Sequence, residues 1–256
     1  MRRLTTRRIL ALGLVAIGAV VAVGFAAIRT PAPTGRSVTD EPIVEVSGDP
    51  RTFVAVARRD LGLDYEPLRD AVDATKRADV IVRGTVVDLV DGPVYRFPEK
   101  PPLPGAGASQ EDLLGNDEAL ASYETADIWF TTTVLWVEVG EVLRGDGIEA
   151  GDRIPVHVLR SPSVPFSEVA DTRFRADGLF IMTDKTRWQP FDGVVIEWPE
   201  SLPDHPLLMP FPDGLWLDGG DELVAIHAEP DELRTRWGLD TVGLDALVAA
   251  LREATD

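Results

Sequence analysis

Acidic and histidine side chains are the residues of this chain whose spacing can be compared with known metal sites. Asp146, Glu149 and Asp152 lie together in the segment RGDGIEAGD, and carboxylates are ligands that Ca²⁺ takes in proteins. Their spacing departs from the EF-hand loop pattern, and acidic turns that contain glycine are common in hairpins. We therefore predict no metal site and no cofactor.

The three histidines also lack the spacing of metal ligands. His157 follows Pro155 in a strand pattern and lies on the face opposite to the apolar residues of that strand, His205 lies in a proline-rich stretch, and His227 lies in an apolar strand. No two of them form an HxH or HExxH pair. We interpret all three as structural residues.

Motifs for nucleophilic catalysis are missing from the sequence. There is no GxSxG, SxxK or Walker segment, and GAGASQ lacks the third glycine of a dinucleotide fingerprint. The chain has no cysteine, which excludes disulfides, thiol catalysis and cysteine-bound metals. A pair of carboxylates for a hydrolase stays an alternative, because among 43 acidic residues some pair will have a suitable separation. We predict no catalytic residue.

Tryptophans are the remaining candidates for a binding surface. They either line such a surface or belong to the core, where tryptophan is mostly found at least half-buried. The residues concerned are Trp129, Trp136, Trp188, Trp198 and Trp216.

The charge of the chain excludes one class of partner. Four of the 25 basic residues precede Ile28, so the rest of the chain carries 43 acidic against 21 basic residues, a net charge of about −22. Nucleic acids are bound through clustered Lys and Arg, and a surface of this charge repels them. We therefore predict no nucleic-acid partner.

The amino terminus carries a strong targeting signal. The segment from Ile9 to Ile28 contains no polar or charged residue, and its 20 residues span about 30 Å as a helix, the thickness of the bilayer core. Four Arg precede it, so the positive-inside rule places the amino terminus in the cytoplasm and the rest outside. Its length favours a retained membrane anchor. A secreted protein with a cleaved signal is the alternative, because Ala22-Val23-Gly24 is an acceptable cleavage site.

Hydrophobic periodicity predicts a mainly β domain. Alternation over 78–87, 130–143 and 153–160 indicates strands, and we expect nine residues of these strands to face one core. Further strands are predicted at 178–183, 193–198, 214–218 and 222–228. The nine core residues are Val80, Val82, Val86, Leu135, Val137, Val139, Ile154, Val156 and Val158.

Two glycines interrupt the longest strand patterns. Gly84 follows VIVR, and Gly140 lies where the apolar phase of its strand shifts. No glycine-rich turn and no helix pattern follows Gly84, so a phosphate-binding loop is excluded there. A bend in a coiled strand accounts for both glycines.

Two helices flank the predicted strands. The first begins near Pro67 and carries an apolar stripe of Leu68, Ala71, Val72 and Thr75. The second closes the chain, with its own stripe of Leu244, Leu247, Val248 and Leu251. The segments 91–126 and 198–214 are rich in proline and predicted to be irregular.

The order of these segments resembles a loose group of exported bacterial domains. RADVIVRGTVV, VEVGEVLRGDGIEAGDRIPVHV, ADGLFIMT and FPDGLWLDGGDELVA follow one another between about residues 66 and 228, as "GTV", "V.EVLKG" and "G..Y..FL" segments do in that group. The resemblance implies a small antiparallel barrel of the oligonucleotide-binding or netrin-like type. It implies no activity and no functional residue. The chain departs from the pattern at Ile181-Met182-Thr183, where an aromatic residue and Leu are usual.

The sequence thus predicts three regions and a non-catalytic role. Residues 1–29 form a cytoplasmic tip and transmembrane helix, residues 30–50 a stalk, and residues 51–256 an extracytoplasmic β-barrel domain with a C-terminal helix. We expect this domain to bind a protein or a component of the cell envelope, the hydrolase being the alternative.

Overall fold

Two strands of 17 residues each dominate the fold. The computed structural model describes residues 48–97, 127–187, 194–202 and 206–255, and in it β1 spans Val80–Arg96 and β2 spans Ile128–Arg144. Both are rich in Val, Thr and aromatic residues, which suit a pleated, half-buried surface. They pair with each other antiparallel along almost their whole length.

The other strands complete one sheet around this pair. β1 also pairs with β4 and β5, β2 with β3, and β6 with β4 and β7, all antiparallel. β3 and β6 run parallel and share the single pair Val156↔Leu208. The path of pairs β1–β2–β3–β6–β4 therefore returns to β1. The bounds are β3 Arg153–Arg160, β4 Ala176–Asp184, β5 Val195–Glu197, β6 Leu208–Asp218 and β7 Leu223–Val224.

The predicted core residues lie together inside this sheet. All nine belong to the same buried apolar cluster, and none is more than 7 % exposed. Phe53, Phe174 and Phe180 fill the same cluster from outside the three strands on which the prediction rested. The prediction of one mainly β core is confirmed.

The two glycines meet at a bulge between β1 and β2. Arg83 lies opposite Glu141 and Gly84 opposite Val139, so Gly140 is the extra residue of the bulge. A Cβ on Gly84 would come within 2.5 Å of the carbonyl oxygen of Glu138. Gly84 therefore allows a close approach of the two backbones, whereas Gly140 is the residue that the bulge adds.

Five helices are found among the described residues, and two of them were predicted. The closing helix has all four predicted stripe residues buried. The first predicted helix begins at Ala71, with Asp70 as its N-cap, so the expected start near Pro67 was wrong. Val72, expected on the buried stripe, is 45 % exposed, and Ala74 is buried in its place. The bounds are α1 Pro50–Ala57, α2 Ala71–Arg77, α3 Phe166–Ala170, α4 Pro230–Trp237 and α5 Leu244–Thr255.

Some predicted strand boundaries were wrong, because pairing between distant strands can outweigh the local signal of proline. β6 begins at Leu208 and contains Pro210 and Pro212, within a stretch predicted to be irregular. Proline is tolerated there because β6 has little pairing on its β3 side and a register shift opposite β4. β1 likewise runs to Arg96, whereas the strand predicted at 222–228 shrinks to Leu223–Val224.

Several predictions lie outside the described residues. These are the membrane span Ile9–Ile28, all of the stalk except its last three residues, and most of the proline-rich segment 91–126. Within the described ranges, no helix has the length and apolar character needed to cross a membrane.

Candidate functional site

A cleft of about 450 Å³ lies where β3 ends and β6 begins, and we call it the apolar cleft because most of its lining residues are apolar. Its walls come from the start of β2, the end of β3, the first half of β6 and the segment that follows α1. Most of its lining atoms belong to aromatic, aliphatic and proline side chains. The described lining residues are Asp60, Leu61, Gly62, Leu63, Trp129, Phe130, Leu159, Ser161, Pro162, Thr183, Lys185, Met209, Pro210, Phe211 and Pro212.

The separation of two strands creates this cleft. After the pair Val156↔Leu208, β3 and β6 share no further pair, and Pro210 and Pro212 have no N–H to donate across the gap. A smaller cavity of about 30 Å³ shares Leu63 and Leu159 with the apolar cleft and reaches His157 and His227. This smaller cavity therefore adjoins the apolar cleft on its inner side.

Trp129 and Phe130, which line the apolar cleft, belong to a row of neighbouring aromatic rings. The rings of Tyr95 and Phe130 are stacked with centroids 4.1 Å apart, and Trp129 lies 4.6 Å from Phe130. Phe97 continues the row at 6.0 Å from Trp129. Burial raises the pKa of the Tyr95 hydroxyl well above its usual value, so this group stays neutral. Trp129 and Phe130 therefore offer apolar contact to the cleft, and the buried ring of Tyr95 packs against Phe130.

A short chain of polar groups marks the rim. The Ser163 hydroxyl donates to the Asp60 carboxylate at 3.0 Å and lies 2.9 Å from the Ser161 hydroxyl. Asp60 has a φ of 55°, a left-handed conformation that Asp tolerates better than most residues, just after α1. No described basic group bonds to either hydroxyl, so the arrangement lacks the general base that activates a serine.

Arg160, the last residue of β3, is a buried cation next to this rim. Its guanidinium pairs with Asp91 at 2.6 Å and donates to the carbonyl oxygen of Val164. Burial lowers the pKa of Arg160, although the Asp91 carboxylate acts in the opposite direction. Because its charge is already matched within the fold, Arg160 fastens the end of β3 and does not offer an anion site.

The histidines considered from the sequence lie in different surroundings. His157 is fully buried, with the ring of Trp198 edge-on at 5.7 Å, so its outward-facing side of the strand is covered. His227 is half-buried, and burial, followed by the charge of Arg58, lowers its pKa. His205 lies outside the described residues.

The carboxylates weighed as calcium ligands form a turn of their own. Asp152 accepts a hydrogen bond from the backbone N–H of Glu149 at 2.8 Å, as a hairpin turn requires. No group of three or more acidic or histidine side chains in the described ranges is arranged to hold a metal ion.

Tryptophans divide between the surface and the core. Trp129 lines the apolar cleft, and Trp136 packs under the guanidinium of Arg153 at 5.0 Å. Trp198 is 40 % exposed, whereas Trp216 is fully buried and donates to the carbonyl oxygen of Asp213. Of the two alternatives, Trp216 therefore belongs to the core, and Trp188 lies outside the described residues.

Sequence reasoning missed the segment that closes one side of the apolar cleft. Leu61, Gly62 and Leu63 follow α1 without regular structure and reach across to β3 and β6. Two apolar residues around a glycine were the available signal, but the other walls of the cleft are built from residues more than 60 positions away. Comparisons with protein-family models, curated proteins and solved structures find no match to this chain.

Proposed function

We propose that this chain is a non-catalytic binding module held outside the cytoplasmic membrane by the span Ile9–Ile28. The apolar cleft is the observation that carries the binding role. It has the size of a ligand site, its walls are mostly apolar, and a few polar groups lie at its rim. The partner is a protein or another component of the cell envelope, since a net charge of about −22 beyond Ile28 repels nucleic acid.

The proposal includes a closed barrel as the scaffold of the site. The circular path of strand pairs and the bulge at Gly140 support it, since bulges let long strands coil around a barrel. The parallel contact of β3 with β6 is its weakest seam, with one residue pair. The apolar cleft lies beside that seam, so the barrel would be open to a ligand where its own pairing is least complete.

A hydrolase has less support at this site. Glycoside hydrolysis needs two carboxyl groups about 5–9.5 Å apart that face each other across the substrate. Asp60 is the sole carboxylate among the described residues that line the apolar cleft, and it accepts a hydrogen bond from Ser163. Binding through apolar contact uses most of the lining, whereas hydrolysis would use little of it.

A photo-crosslinking amino acid placed in intact cells tests this function. At Leu61, which lines the apolar cleft, we expect an adduct with an envelope protein or component. At Val72, which is 45 % exposed on α2 and outside the cleft, we expect none. Equal adduct yields at the two positions, or no adduct at either, would contradict the proposed function.

A further inference from the structure

We infer that the ligand of the apolar cleft is an acyl chain of a membrane lipid whose headgroup carries no net negative charge. This inference rests on the proposed function and names the chemical class of its ligand. An acyl chain binds through apolar contact along its length, while the headgroup that it carries stays in water.

The polar side chains of the cleft lining are few and largely used within the fold. Ser163 joins the carboxylate of Asp60 to the hydroxyl of Ser161. The Thr183 hydroxyl donates to the carbonyl oxygen of Met209 at 3.5 Å. A polar ligand that enters such a cleft loses its hydrogen bonds to water and gains few in return, whereas a hydrocarbon has none to lose. The described lining residues with a charge or a hydroxyl group are Asp60, Ser161, Thr183 and Lys185.

The backbone of the lining also favours a hydrocarbon over a polypeptide. Pro162, Pro210 and Pro212 all line the cleft, and none of them has an N–H to donate. A polypeptide carries an N–H and a C=O at almost every residue, and burying these groups without partners costs free energy. An acyl chain avoids this cost.

The volume of the cleft suits a single acyl chain. A methylene group takes up roughly as much space as a water molecule, about 30 Å³, so the 450 Å³ of the cleft hold about 15 such groups. The smaller cavity of about 30 Å³ adds room for one more group on the inner side, between Leu215 and Ile226 of the core. One chain of about 16 carbon atoms, a common length in membrane lipids, therefore fits.

A membrane is the source of this ligand that the proposed anchor makes most accessible. The span Ile9–Ile28 would keep the protein at a bilayer, and tethering raises the effective concentration of lipid near the cleft. Trp198, which is 40 % exposed, lies edge-on to His157 at 5.7 Å. His157 shares a face of β3 with Leu159 of the cleft lining, so Trp198 lies beside the cleft. Tryptophan is enriched where proteins meet the membrane–water interface.

Charge selects among lipids. The protein beyond Ile28 carries 43 acidic against 21 basic residues, and Asp60 adds a carboxylate to the cleft lining. An anionic headgroup is repelled by such a surface, since like charges raise the energy of the complex. A zwitterionic or uncharged headgroup does not meet this repulsion.

Photolabelling from a defined lipid tests the inference on the full chain. The protein is reconstituted into nanodiscs of phosphatidylcholine, a small fraction of which carries a diazirine near the end of one acyl chain. We expect adducts in Ile9–Ile28, which serves as the internal reference, and in peptides that contain Leu159 or Phe211 of the cleft lining. Adducts in the span without adducts in these cleft peptides would overturn the inference.

Two variants with the same added charge separate a binding site from nonspecific contact with lipid. Leu63→Asp places a carboxylate in the cleft and should lower the yield of cleft adducts, relative to the adducts in Ile9–Ile28, about tenfold. Val72→Asp places it at a 45 % exposed position of α2 outside the lining and should leave the yield unchanged. Circular dichroism melts check that both variants are folded. Equal yields for the two folded variants would overturn the inference.

The headgroup is tested with a phosphatidylglycerol that carries the same diazirine. We expect a lower relative yield of cleft adducts than with phosphatidylcholine, and equal yields would overturn the headgroup preference. If Leu61 forms an adduct with a protein in cells while the lipid labels Ile9–Ile28 alone, the acyl-chain inference is wrong and the proposed function stands. Absence of adducts in both experiments would overturn both.

Discussion

Gly84 and Gly140 share one bulge, but they differ in the room that each has for a side chain. A Cβ on Gly84 would lie 2.5 Å from the carbonyl oxygen of Glu138 and 2.7 Å from a methyl group of Val137, whereas one on Gly140 would meet nothing closer than 3.6 Å. We expect Gly84→Val to lower the free energy of unfolding by about 1–3 kcal/mol through overpacking. Gly140→Ala is the matched control and should cause no such loss. Thermal melts compare them, and an unchanged melting temperature for Gly84→Val would refute the close-packing role.

His227 makes stability depend on pH in a defined direction. Burial is the main cause of its lowered pKa, and the nearby charge of Arg58 adds to it, so the folded protein binds this proton less readily than the unfolded chain. As the pH falls below about 6.5, the unfolded state takes up a proton that the folded state refuses, and stability decreases.

We expect the melting temperature of the wild type to fall more steeply than that of His227→Gln between about pH 7 and pH 5. The difference between the two proteins isolates His227 from the many acidic groups. Parallel curves over this interval would show that His227 does not contribute.

Single residues also show where reading the sequence succeeds. Val82 and Val137 were placed correctly because period-2 alternation depends only on near neighbours in the chain. Val72 was placed wrongly because Leu68, which was used to define the apolar stripe, precedes the helix, and the buried face carries Ala74 and Thr75 instead. The lining of the apolar cleft could not be predicted, since Leu61, Trp129 and Phe211 meet there only after folding.

At the scale of elements, a buried ion pair fastens α4 to the sheet. Asp213 of β6 is almost fully buried, pairs with Arg236 of α4 at 2.8 Å and accepts the N–H of Leu68. We expect Asp213→Ala to destabilise the protein by about 2–3 kcal/mol, because it leaves the N–H of Leu68 without its acceptor and Arg236 with only Glu232 and the carbonyl oxygen of Leu68 as partners. Urea unfolding measures this loss.

The same helix supplies a control for that measurement. Asp231 pairs with Arg234 on the exposed side of α4, and Asp231→Ala should cost at most about 0.5 kcal/mol. Equal losses for the two variants would mean that burial of the Asp213 pair does not decide its contribution.

Elements that depend on distant pairing explain the remaining differences from the sequence reading. β6 carries two prolines within its strand and looks irregular in isolation, but β4 supplies it with a partner at Met182↔Pro210 and Phe180↔Leu215. α1 was not predicted, although Asp49 caps it and Phe53 is buried against Phe174. In both cases tertiary contacts override a weak local signal.

For the molecule as a whole, the prediction concerns the orientation of the chain in the membrane. The acidic part beyond Ile28 is no obstacle to the proposed export, because acidic residues contribute little to the orientation rule, and we expect the four Arg before Ile9 to keep the amino terminus inside. We therefore predict that protease added to intact spheroplasts digests the chain beyond the stalk and leaves a small membrane-bound amino-terminal fragment. A cytoplasmic protein assayed in the same sample must stay intact, which controls for lysis. Full protection of the acidic region would refute the orientation. Recovery of that region in the culture medium, without its amino-terminal segment, would instead favour the cleaved signal, because a span of 20 apolar residues that is retained cannot release the domain that follows it.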